Sequence, residues 1–343
     1  MSDIKIAILG TSFIAEFRAQ VYQRLAGVKI VGVMGRDLEK SRAFADRIGA
    51  TAAASSFEDL LGMVDFDAVD ICLPNHLHRE FGVKAAKASK HILCEKPLAR
   101  NAAEAQELVD AVEAAGVVNI YGENMIFSPD FQEIISIVKQ GTLGKPLWMR
   151  GREAHFGPHS SWFYKKELSG GGALVDMGCH LIGIFNHILG QGPEQVFAHT
   201  PTLHHQTDCD DNALALIRYP GGVVGQCEAS WTQRGGMAVV FEIQGEDGII
   251  TYDRSAMSQP IKVYANKTTD RYFSEKAESN RGWLFPTVDE YWRYGYYNQI
   301  NHYLRCIRGE ETPLLTFRDG LLVNQIMDAA YASNAGGNWQ DIA

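Results

Sequence analysis

The sequence predicts an α/β domain with a doubly wound parallel sheet, followed by an α+β domain with an open, mainly antiparallel sheet. Two observations predict this fold class. In the first third of the chain, short apolar runs alternate with segments of helical periodicity, and after residue 121 successive strands are joined by tight turns. A chain of 343 residues is long enough for two hydrophobic cores. We therefore expect one domain over residues 1–121 and a second over residues 122–343.

The first domain is predicted from apolar runs without turn residues, which are typical of parallel strands covered by helices on both faces. The predicted strands are Ile4–Leu9, Lys29–Met34, Ala68–Leu73, Ile92–Cys94 and Val117–Tyr121. The predicted helices between them are Phe13–Leu25, Leu38–Ile48, Glu80–Ala88 and Ala102–Ala115.

The second domain is predicted to begin with helices at Asp130–Lys139 and Ala173–Leu189. The predicted strands are Gln195–Thr200, Ala213–Tyr219, Val223–Trp231, Ala238–Gln244 and Gly248–Asp253. Turn residues at 220–222 and 245–248 predict two hairpins. Residues 255–285 are polar and irregular, and two last helices are predicted near 287–308 and 319–335.

Composition excludes several classes of protein. A net charge of −9 argues against nucleic-acid binding, which normally needs a basic face. We find no apolar run near the roughly 20 residues that span a bilayer, so we expect no membrane partner. The six cysteines form no CxxC pair, and the N-terminal residues do not read as a secretory signal. These features indicate reduced thiols and a cytoplasmic protein.

A loop of the type that holds a dinucleotide follows the first predicted strand. Its residues Gly10, Thr11, Ser12, Phe13 and Ile14 lead into a helix whose N-terminus would face a pyrophosphate. Gly10 permits the tight turn, whereas Ser12 replaces the second glycine of the usual motif and restricts backbone approach. A loop that only caps a helix is the alternative, but the strand–loop–helix context favours a cofactor-binding Rossmann domain.

The end of the second strand bears on the choice of cofactor. Here an acidic residue would bind the ribose hydroxyls of NAD, but the sequence has Gly35 and Arg36. A guanidinium suits a 2′-phosphate, so we predict NADP, with NAD as the alternative. Asp37 is explained as the N-cap of the next helix.

Two further predicted loops lie where the third and fourth strands of the first domain end. Ligands bind at this edge of parallel sheets. We therefore predict further cofactor contacts from Leu73, Pro74, Asn75, His78, Glu95 and Lys96. Turn chemistry alone also explains Pro74 and Asn75. Lys96 is expected beside the nicotinamide end of the cofactor.

These residues resemble the Gfo/Idh/MocA family, which includes glucose–fructose oxidoreductase and inositol dehydrogenase. The shared features are the Gly10-to-Ala15 loop, the Glu95-Lys96-Pro97 sequence, Asn124 and the segment from Gly171 to His180. The segment from Gly309 to Pro313 also resembles the corresponding segment of this family. The resemblance implies that Lys96, Asp176 and His180 meet at the substrate and that Asn124 contacts the cofactor. It also implies a homodimer or homotetramer formed through the C-terminal sheet.

The spacing of Asp176 and His180 supports a catalytic role. Residues four apart share one face of a helix, and an imidazole is suited to removing a hydroxyl proton. We assign His180 as the acid/base, Asp176 as its orienting group or a hydroxyl ligand, and Lys96 as a donor to the reacting oxygen. An isolated Asp-x-x-x-His pair would more often be structural.

The segment from Arg150 to Tyr164 is dense in aromatic, histidine and hydroxyl side chains, as sugar pockets are. We select His155, His159 and Trp162 as substrate contacts, together with Lys96, Asp176 and His180. Many relatives carry an Asn-x-Arg sequence where this chain has Asn124-Met125-Ile126, so the basic residue is absent here, and Phe127 would instead supply an apolar wall. An ordered loop with packed aromatics is the alternative.

No metal site is predicted. His204 and His205 are adjacent, so their side chains point apart in a strand or helix, and the acids that follow fit a polar turn. The leading function is an NAD(P)-dependent dehydrogenase acting on a secondary hydroxyl of a sugar, cyclitol or related polyol. The alternatives are a redox-neutral NAD-dependent glycosidase and a non-catalytic dinucleotide sensor.

Overall fold

The computed structural model describes residues 3–342, which form two compact units. The first comprises residues 3–128 and 294–324, and the second comprises residues 129–293 and 325–342. The first unit thus takes in residues 122–128 and 294–324, which the predicted division after residue 121 gives to the second domain. That division stays a prediction.

The helices and strands of the described chain run in the following order. The strands are β1 Ile4–Leu9, β2 Val28–Met34, β3 Ala52–Ala54, β4 Ala68–Ile71, β5 His91–Glu95, β6 Asn119–Gly122, β7 Pro146–Ala154, β8 Gln195–His199, β9 Asn212–Arg218, β10 Val224–Ser230, β11 Ala238–Gly245, β12 Ile249–Asp253, β13 Val263–Ala265, β14 Gly282–Leu284 and β15 Gln340–Asp341. The helices are α1 Phe13–Tyr22, α2 Leu38–Ile48, α3 Phe57–Met63, α4 Asn75–Lys87, α5 Ala102–Ala115, α6 Pro129–Lys139, α7 Lys166–Ser169, α8 Cys179–Leu189, α9 Glu290–Arg293, α10 Tyr296–Ile307 and α11 Phe317–Gly336.

The first unit contains a six-stranded sheet in the order β3-β2-β1-β4-β5-β6, with every neighbouring pair parallel. Its central strands are covered on both faces, since the adjacent residues Ala7 and Ile8 point to opposite faces and are both fully buried. The doubly wound parallel sheet predicted from the sequence is confirmed. The sequence analysis missed β3 and α3, because three alanines carry little strand signal and a seven-residue helix shows barely two turns of periodicity.

Helix α4 begins five residues before the predicted start at Glu80. It starts directly after Pro74, so Asn75 and His78 belong to its first two turns rather than to a loop. The prediction of a loop there is wrong because the Pro-Asn pair was interpreted as a turn. Proline is equally favoured at the start of a helix, where its fixed φ suits the geometry and its missing N–H costs nothing.

The second unit contains a seven-stranded sheet in the order β12-β11-β7-β10-β9-β8-β15. Strands β7 and β10 pair in parallel and all other neighbours are antiparallel, so the mainly antiparallel sheet is confirmed. Both predicted hairpins are present, one joining β9 to β10 and the other joining β11 to β12. Strand β7 was not among the predicted strands, although it lies in the middle of the sheet.

The segment Lys166–Leu189 is long and apolar enough, by length and composition, to cross a membrane. Its apolar window is 89% buried inside the protein, which identifies it as a core helix of the second unit. Within it, Leu174–Gly178 is π-helical and continues directly into α8. The sequence expectation that no apolar run approaches membrane-spanning length is therefore wrong for this segment.

Candidate functional site

The loop after β1 is built so that its backbone can approach another group closely. Gly10 has φ +127°, a conformation that residues with a side chain rarely adopt. A Cβ atom at this position would overlap the backbone carbonyl of Cys72. Ala15 is fully buried, which lets α1 pack closely on the sheet. Glycine and alanine are therefore required here for steric reasons.

The N-terminus of α1 has backbone N–H groups without a side-chain cap. Ser12 occupies the N-cap position but makes no capping hydrogen bond, and its hydroxyl donates weakly to Cys72 O at 3.4 Å. Thr11 and Ile14 are half-buried, whereas Ser12 and Phe13 are exposed. Uncapped N–H groups together with the positive end of the helix dipole suit an anion. The residues present therefore fit the pyrophosphate of a dinucleotide.

The turn after β2 presents a guanidinium to solvent. A Cβ on buried Gly35 would lie 3.0 Å from both Ser41 Oγ and Thr11 Cγ2, so the turn is too crowded for a larger residue. Arg36 is exposed, and the described residues offer its side chain no hydrogen bond or ion pair. Asp37 accepts the N–H groups of the following turn and caps α2, as predicted.

His78 ties two of the predicted cofactor loops together. It is fully buried, with Nδ1 2.9 Å from Pro97 O and Nε2 2.7 Å from Leu73 O. Burial lowers the pKa of His78, so the ring is neutral and donates to one of the two carbonyl oxygens. Through its contact with Pro97, His78 positions the segment that carries Lys96.

The carboxylate of Glu95 lies in a buried network of charges that we call the Arg18 cluster, comprising Arg18, Tyr22, Asp70, Glu95 and Gln299. Arg18 is fully buried, and its guanidinium donates to Glu95 at 2.8 Å, to Asp70 at 3.0 Å and to Gln299 at 3.2 Å. Tyr22 donates its hydroxyl to Asp70 at 3.0 Å. Burial raises the pKa of Asp70 even though Arg18 opposes the shift.

Glu95 connects the Arg18 cluster to the predicted catalytic lysine. Its second carboxylate oxygen accepts the backbone N–H of Lys96 at 3.1 Å, and the peptide bond that follows, Lys96–Pro97, is cis. The Lys96 side chain is half-buried at the carboxyl end of β5. Glu95 therefore fixes the backbone that carries Lys96, and its predicted contact with the cofactor stays a prediction.

Asn124 and Phe127 follow β6 and are both buried. The Asn124 amide donates to Tyr294 O at 2.7 Å, and its Oδ1 atom is buried without a hydrogen-bond partner among residues 3–342. Phe127 packs on His302, with ring centroids 5.3 Å apart. An acceptor left open on a buried amide is consistent with a ligand-binding role for Asn124.

In the second unit, the helix that carries Asp176 and His180 is held at its beginning by Asp210. This carboxylate accepts the backbone N–H groups of Gly172 and Leu174 at 2.8 Å and the hydroxyl of Tyr331 at 2.7 Å. A Cβ atom on Gly172 would overlap the backbone of Asp210. The glycines before the helix therefore permit the close approach that caps it. The sequence analysis missed this role of Asp210.

Asp176 is oriented by an aromatic side chain from the sheet. Trp231, which is fully buried, donates its indole N–H to Asp176 Oδ2 at 2.9 Å. Asp176 lies in the π-helical turn and His180 in the first turn of α8, and both are buried at 3% and 6% exposure. Isolated π-helical turns occur frequently at functional sites. Because Asp176 is buried and accepts the indole N–H of Trp231, its carboxylate is held in one orientation.

Five side chains form a second group of interacting charges and imidazoles, which we call the His155 cluster: His155, His159, Asp176, Glu275 and Lys276. The rings of His155 and His159 lie edge to face with centroids 5.6 Å apart, and His159 Nε2 is 2.8 Å from Glu275 Oε1. Burial lowers the pKa of His155 to about 4, although Asp176 raises it. His155 is therefore neutral near pH 7.

Trp162 belongs to an aromatic stack near Asp176. Its ring lies 3.8 Å from that of Phe163 in a stacked arrangement, and Phe163 meets Trp231 edge to face at 6.4 Å. The stack thus continues to the tryptophan that holds Asp176. Packing explains the order of this segment, and a sugar contact for Trp162 stays a prediction.

His204 and His205 occupy a turn organised by Asp211, which accepts the backbone N–H groups of residues 203–205 at 2.7–2.8 Å. This is the polar turn that the sequence predicts. Within residues 3–342, no group of three or more His, Cys, Asp or Glu side chains is arranged to hold a metal ion.

Each unit therefore gathers its own predicted residues. The first brings the Gly10 loop, Arg36, the start of α4 and Lys96 to the carboxyl ends of β1, β2, β4 and β5. The second brings His155 and His159 into the cluster that contains Asp176. The sequence analysis gave no role to Arg18, Glu275 or Lys276. Arg18 could have been recognised, because it is a charged residue on the apolar face of α1. Glu275 and Lys276 lie in a segment without periodicity, which offers no such signal.

Comparison with known proteins places the chain in a family. An oxidoreductase-family model with an NAD-binding Rossmann fold, GFO/IDH/MocA, matches residues 4–123, and the GFO/IDH/MocA C-terminal domain model matches residues 131–251. The chain belongs to the GFO/IDH/MocA oxidoreductase family. As a member of this family it is an NAD-binding oxidoreductase, which confirms the resemblance and the enzyme class predicted from the sequence.

Individual relatives match the GFO/IDH/MocA chain along its length. Levoglucosan dehydrogenase from Pseudarthrobacter phenanthrenivorans is 25% identical, over 100% of this chain and 99% of its own. The solved structure of GenD2 from gentamicin A biosynthesis, in complex with NAD, is 27% identical with a TM-score of 0.94, covering 100% of this chain and 97% of that one. Levoglucosan dehydrogenase in complex with NADH and levoglucosan is 26% identical with a TM-score of 0.84, covering 99% and 100%.

Proposed function

We propose that this oxidoreductase transfers a hydride between the nicotinamide of its cofactor and a secondary hydroxyl of a sugar, cyclitol or related polyol. The observation that carries the proposal is the buried Asp176 on the same helical segment as His180, oriented by Trp231 at 2.9 Å. The levoglucosan bound by one relative supports a sugar-like substrate.

Each of the three predicted catalytic residues has one role in the proposed reaction. The bound nicotinamide supplies the hydride acceptor or donor. His180 takes the hydroxyl proton when the alcohol is oxidised and returns it when the carbonyl is reduced. Lys96 donates a hydrogen bond to the reacting oxygen and stabilises negative charge developing there. Asp176 accepts a hydrogen bond from a neighbouring hydroxyl or from His180.

The experiment that tests this function measures absorbance of the reduced cofactor with a panel of levoglucosan, a methyl glucoside and myo-inositol. We expect at least one of these compounds to give stoichiometric and lasting cofactor reduction. Cleavage of the methyl glucoside without net reduction would contradict the dehydrogenase and support the redox-neutral glycosidase instead. Binding of NAD or NADP with no conversion of any compound would support the non-catalytic sensor.

We also propose that the enzyme prefers NADP to NAD. The support is the turn after β2, where exposed Arg36 lacks a partner among the described residues and the nearby carboxylate of Asp37 is engaged as a cap. A free guanidinium attracts a 2′-phosphate. The described residues at this strand end include no free acid that would bind the two ribose hydroxyls of NAD.

Replacing Arg36 tests the cofactor preference. We expect Arg36→Ala to lower kcat/KM for NADP by about 10-fold, the loss of a charge-assisted phosphate contact, and to leave that for NAD unchanged. Arg42→Ala, which removes an exposed arginine from α2, is the matched control. Equal losses of kcat/KM with both cofactors would show that Arg36 does not bind the 2′-phosphate.

We further propose a homo-oligomer, a dimer or tetramer, formed through the sheet of the second unit. Alternating burial along β9 and β11 leaves Leu214 and Val240 exposed at 42% and 38% on one face of this sheet. In register between them on the same face lie Arg152 and Glu228, so a second copy could cover this face with both apolar and charged contacts. Light scattering of the purified protein measures the mass directly, and a monomer at micromolar concentration would contradict the proposal.

A further inference from the structure

The segment between β12 and α9 carries a lysine held in an unusual position. Lys276 has φ +57°, in the left-handed region that a residue with a side chain seldom adopts. The segment is anchored by the buried Glu290, whose carboxylate accepts the backbone N–H of Glu275 at 2.8 Å and the hydroxyl of Tyr272 at 2.6 Å. The conformation of Lys276 is therefore imposed by its surroundings.

The ammonium group of Lys276 has unused hydrogen-bonding capacity inside the His155 cluster. It donates to Gly157 O at 2.7 Å, and an ammonium has three hydrogens to donate. The side chain is half-buried and interacts electrostatically with Asp176 and Glu275. Burial lowers the pKa of Lys276, while the two carboxylates oppose that shift. A donor with hydrogens to spare thus lies beside the oriented Asp176.

His155 supplies a second open position in the same cluster. The residue is 3% exposed, and its Nδ1 atom has no hydrogen-bond partner among residues 3–342. Leaving a buried polar atom unsatisfied costs free energy, which a ligand that supplies the missing partner would recover. A neutral imidazole offers one donor and one acceptor, which matches a hydroxyl group.

The charges of the cluster indicate what kind of molecule it accepts. Asp176 and Glu275 both interact with the ammonium of Lys276, and Glu275 also interacts with His159 and with the guanidinium of Arg254. A carboxylate or phosphate of the substrate would meet the carboxylate of Asp176 and be disfavoured there. A hydroxyl group carries no charge and can both donate and accept, so it can bind to an ammonium or to a neutral imidazole.

We propose that Lys276 and His155 bind hydroxyl groups of a neutral polyol beside Asp176 and thereby determine which polyol the enzyme accepts. This inference rests on the proposed polyol oxidation, adds Lys276 to its substrate-binding residues and gives a specific role to His155, which the sequence already predicted as a substrate contact. Lys276 donates to one hydroxyl oxygen, and His155 completes its hydrogen bonding with a second. Neither residue takes part in proton or hydride transfer, so both act on affinity for the polyol and on the choice among polyols.

The test uses steady-state kinetics of Lys276→Met and His155→Phe on the best polyol of the panel. Both substitutions keep the approximate size of the side chain and remove its hydrogen bonds. We expect each to raise KM for the polyol about 10-fold or more, as expected for a lost hydrogen bond to a charged or buried group, with KM for the cofactor unchanged. Lys276→Arg should recover part of the affinity. Lys267→Met, an exposed lysine of the same segment, is the control.

Monodeoxy analogues of that polyol identify the hydroxyl group that Lys276 binds. One analogue should lose about 10-fold or more in kcat/KM with the wild-type enzyme and lose nothing further in Lys276→Met. Wild-type kinetics in both Lys276→Met and His155→Phe would overturn the inference while leaving the proposed function intact. Failure of the wild-type enzyme to oxidise any polyol would overturn the proposed function and this inference with it. If one variant does not fold, the other decides between these outcomes.

Discussion

The two units each bury a network of charged side chains, and the networks differ in whether the hydrogen bonds of the cation at the centre are complete. In the Arg18 cluster, every guanidinium nitrogen has an acceptor, and two carboxylates and an amide surround a fully buried cation. In the His155 cluster, a buried imidazole nitrogen lacks a partner and a half-buried ammonium uses one hydrogen. The cation of the Arg18 cluster is therefore satisfied within the fold, whereas the ammonium and the imidazole of the His155 cluster can still hydrogen-bond to a ligand.

The comparison also shows how each network serves the residue next to it. Glu95 of the Arg18 cluster accepts the backbone N–H of Lys96 at 3.1 Å and so fixes the backbone from which the lysine side chain extends. In the second unit, Trp231 fixes Asp176 and leaves its second carboxylate oxygen to other partners. Rigidity is therefore provided by buried contacts behind the predicted catalytic groups. The following predictions separate the two kinds of contribution.

The largest expected effect is that of His180→Ala on turnover. Loss of the acid/base should lower kcat about 10³-fold, within the range for general acid–base catalysis, with cofactor affinity and thermal stability little changed. Steady-state kinetics and cofactor fluorescence titration measure the two quantities. His199→Ala, an exposed histidine on β8, should behave as wild type. Full activity of His180→Ala would remove this residue from the mechanism.

Arg18→Met should damage stability rather than chemistry. Removing the cation leaves Asp70 and Glu95 buried and uncompensated, at a cost of about 3–4 kcal/mol in the free energy of unfolding. Urea denaturation measures this loss. Arg47→Met removes an exposed ion pair with Glu16 and should cost less than about 1 kcal/mol. Similar losses for the two variants would show that the Arg18 cluster is not the stabilising element that its burial indicates.

Lys96→Met should lower kcat about 100-fold, the usual effect of removing one donor to a developing oxyanion. The hydrogen bond from the Lys96 backbone to Glu95 remains in this variant, so the free energy of unfolding should change by less than about 1 kcal/mol. Lys87→Met, an exposed lysine at the end of α4, provides the control for loss of charge. A large loss of stability with unchanged kcat would make Lys96 a structural member of the Arg18 cluster.

The smallest expected effect is a pH dependence carried by His155. Its folded-state pKa of about 4 lies below the ordinary value of 6.5, so the unfolded chain takes up the proton first. The stability tied to neutral His155 is present above pH 6.5 and is lost as pH falls toward 4. Between pH 7.5 and pH 5, the free energy of unfolding of the wild-type protein should fall by about 2 kcal/mol more than that of His155→Phe. Parallel stability curves for the two proteins would show that His155 titrates normally.

The sequence identified the candidate site better than the contacts that organise it. Lys96 and Arg36 were found because ligands bind where parallel strands end, and strand ends can be recognised from local patterns. Glu95 was predicted to touch the cofactor, whereas its carboxylate pairs with Arg18 and holds the Lys96 backbone. Charges inside two apolar elements, Arg18 in α1 and Asp70 in β4, were the available signal for this buried pair.

The sequence by itself determined the alternation of strands and helices in the first unit, because each element there carries its own hydrophobic period and its own glycine stop. It also determined the spacing of Asp176 and His180. Only the tertiary structure decided that β7 pairs in parallel with β10, that Asp210 caps the helix of Asp176, and that Lys276 joins His155. Partners separated by many residues leave no local pattern, since what unites them is packing and hydrogen bonding in the folded chain.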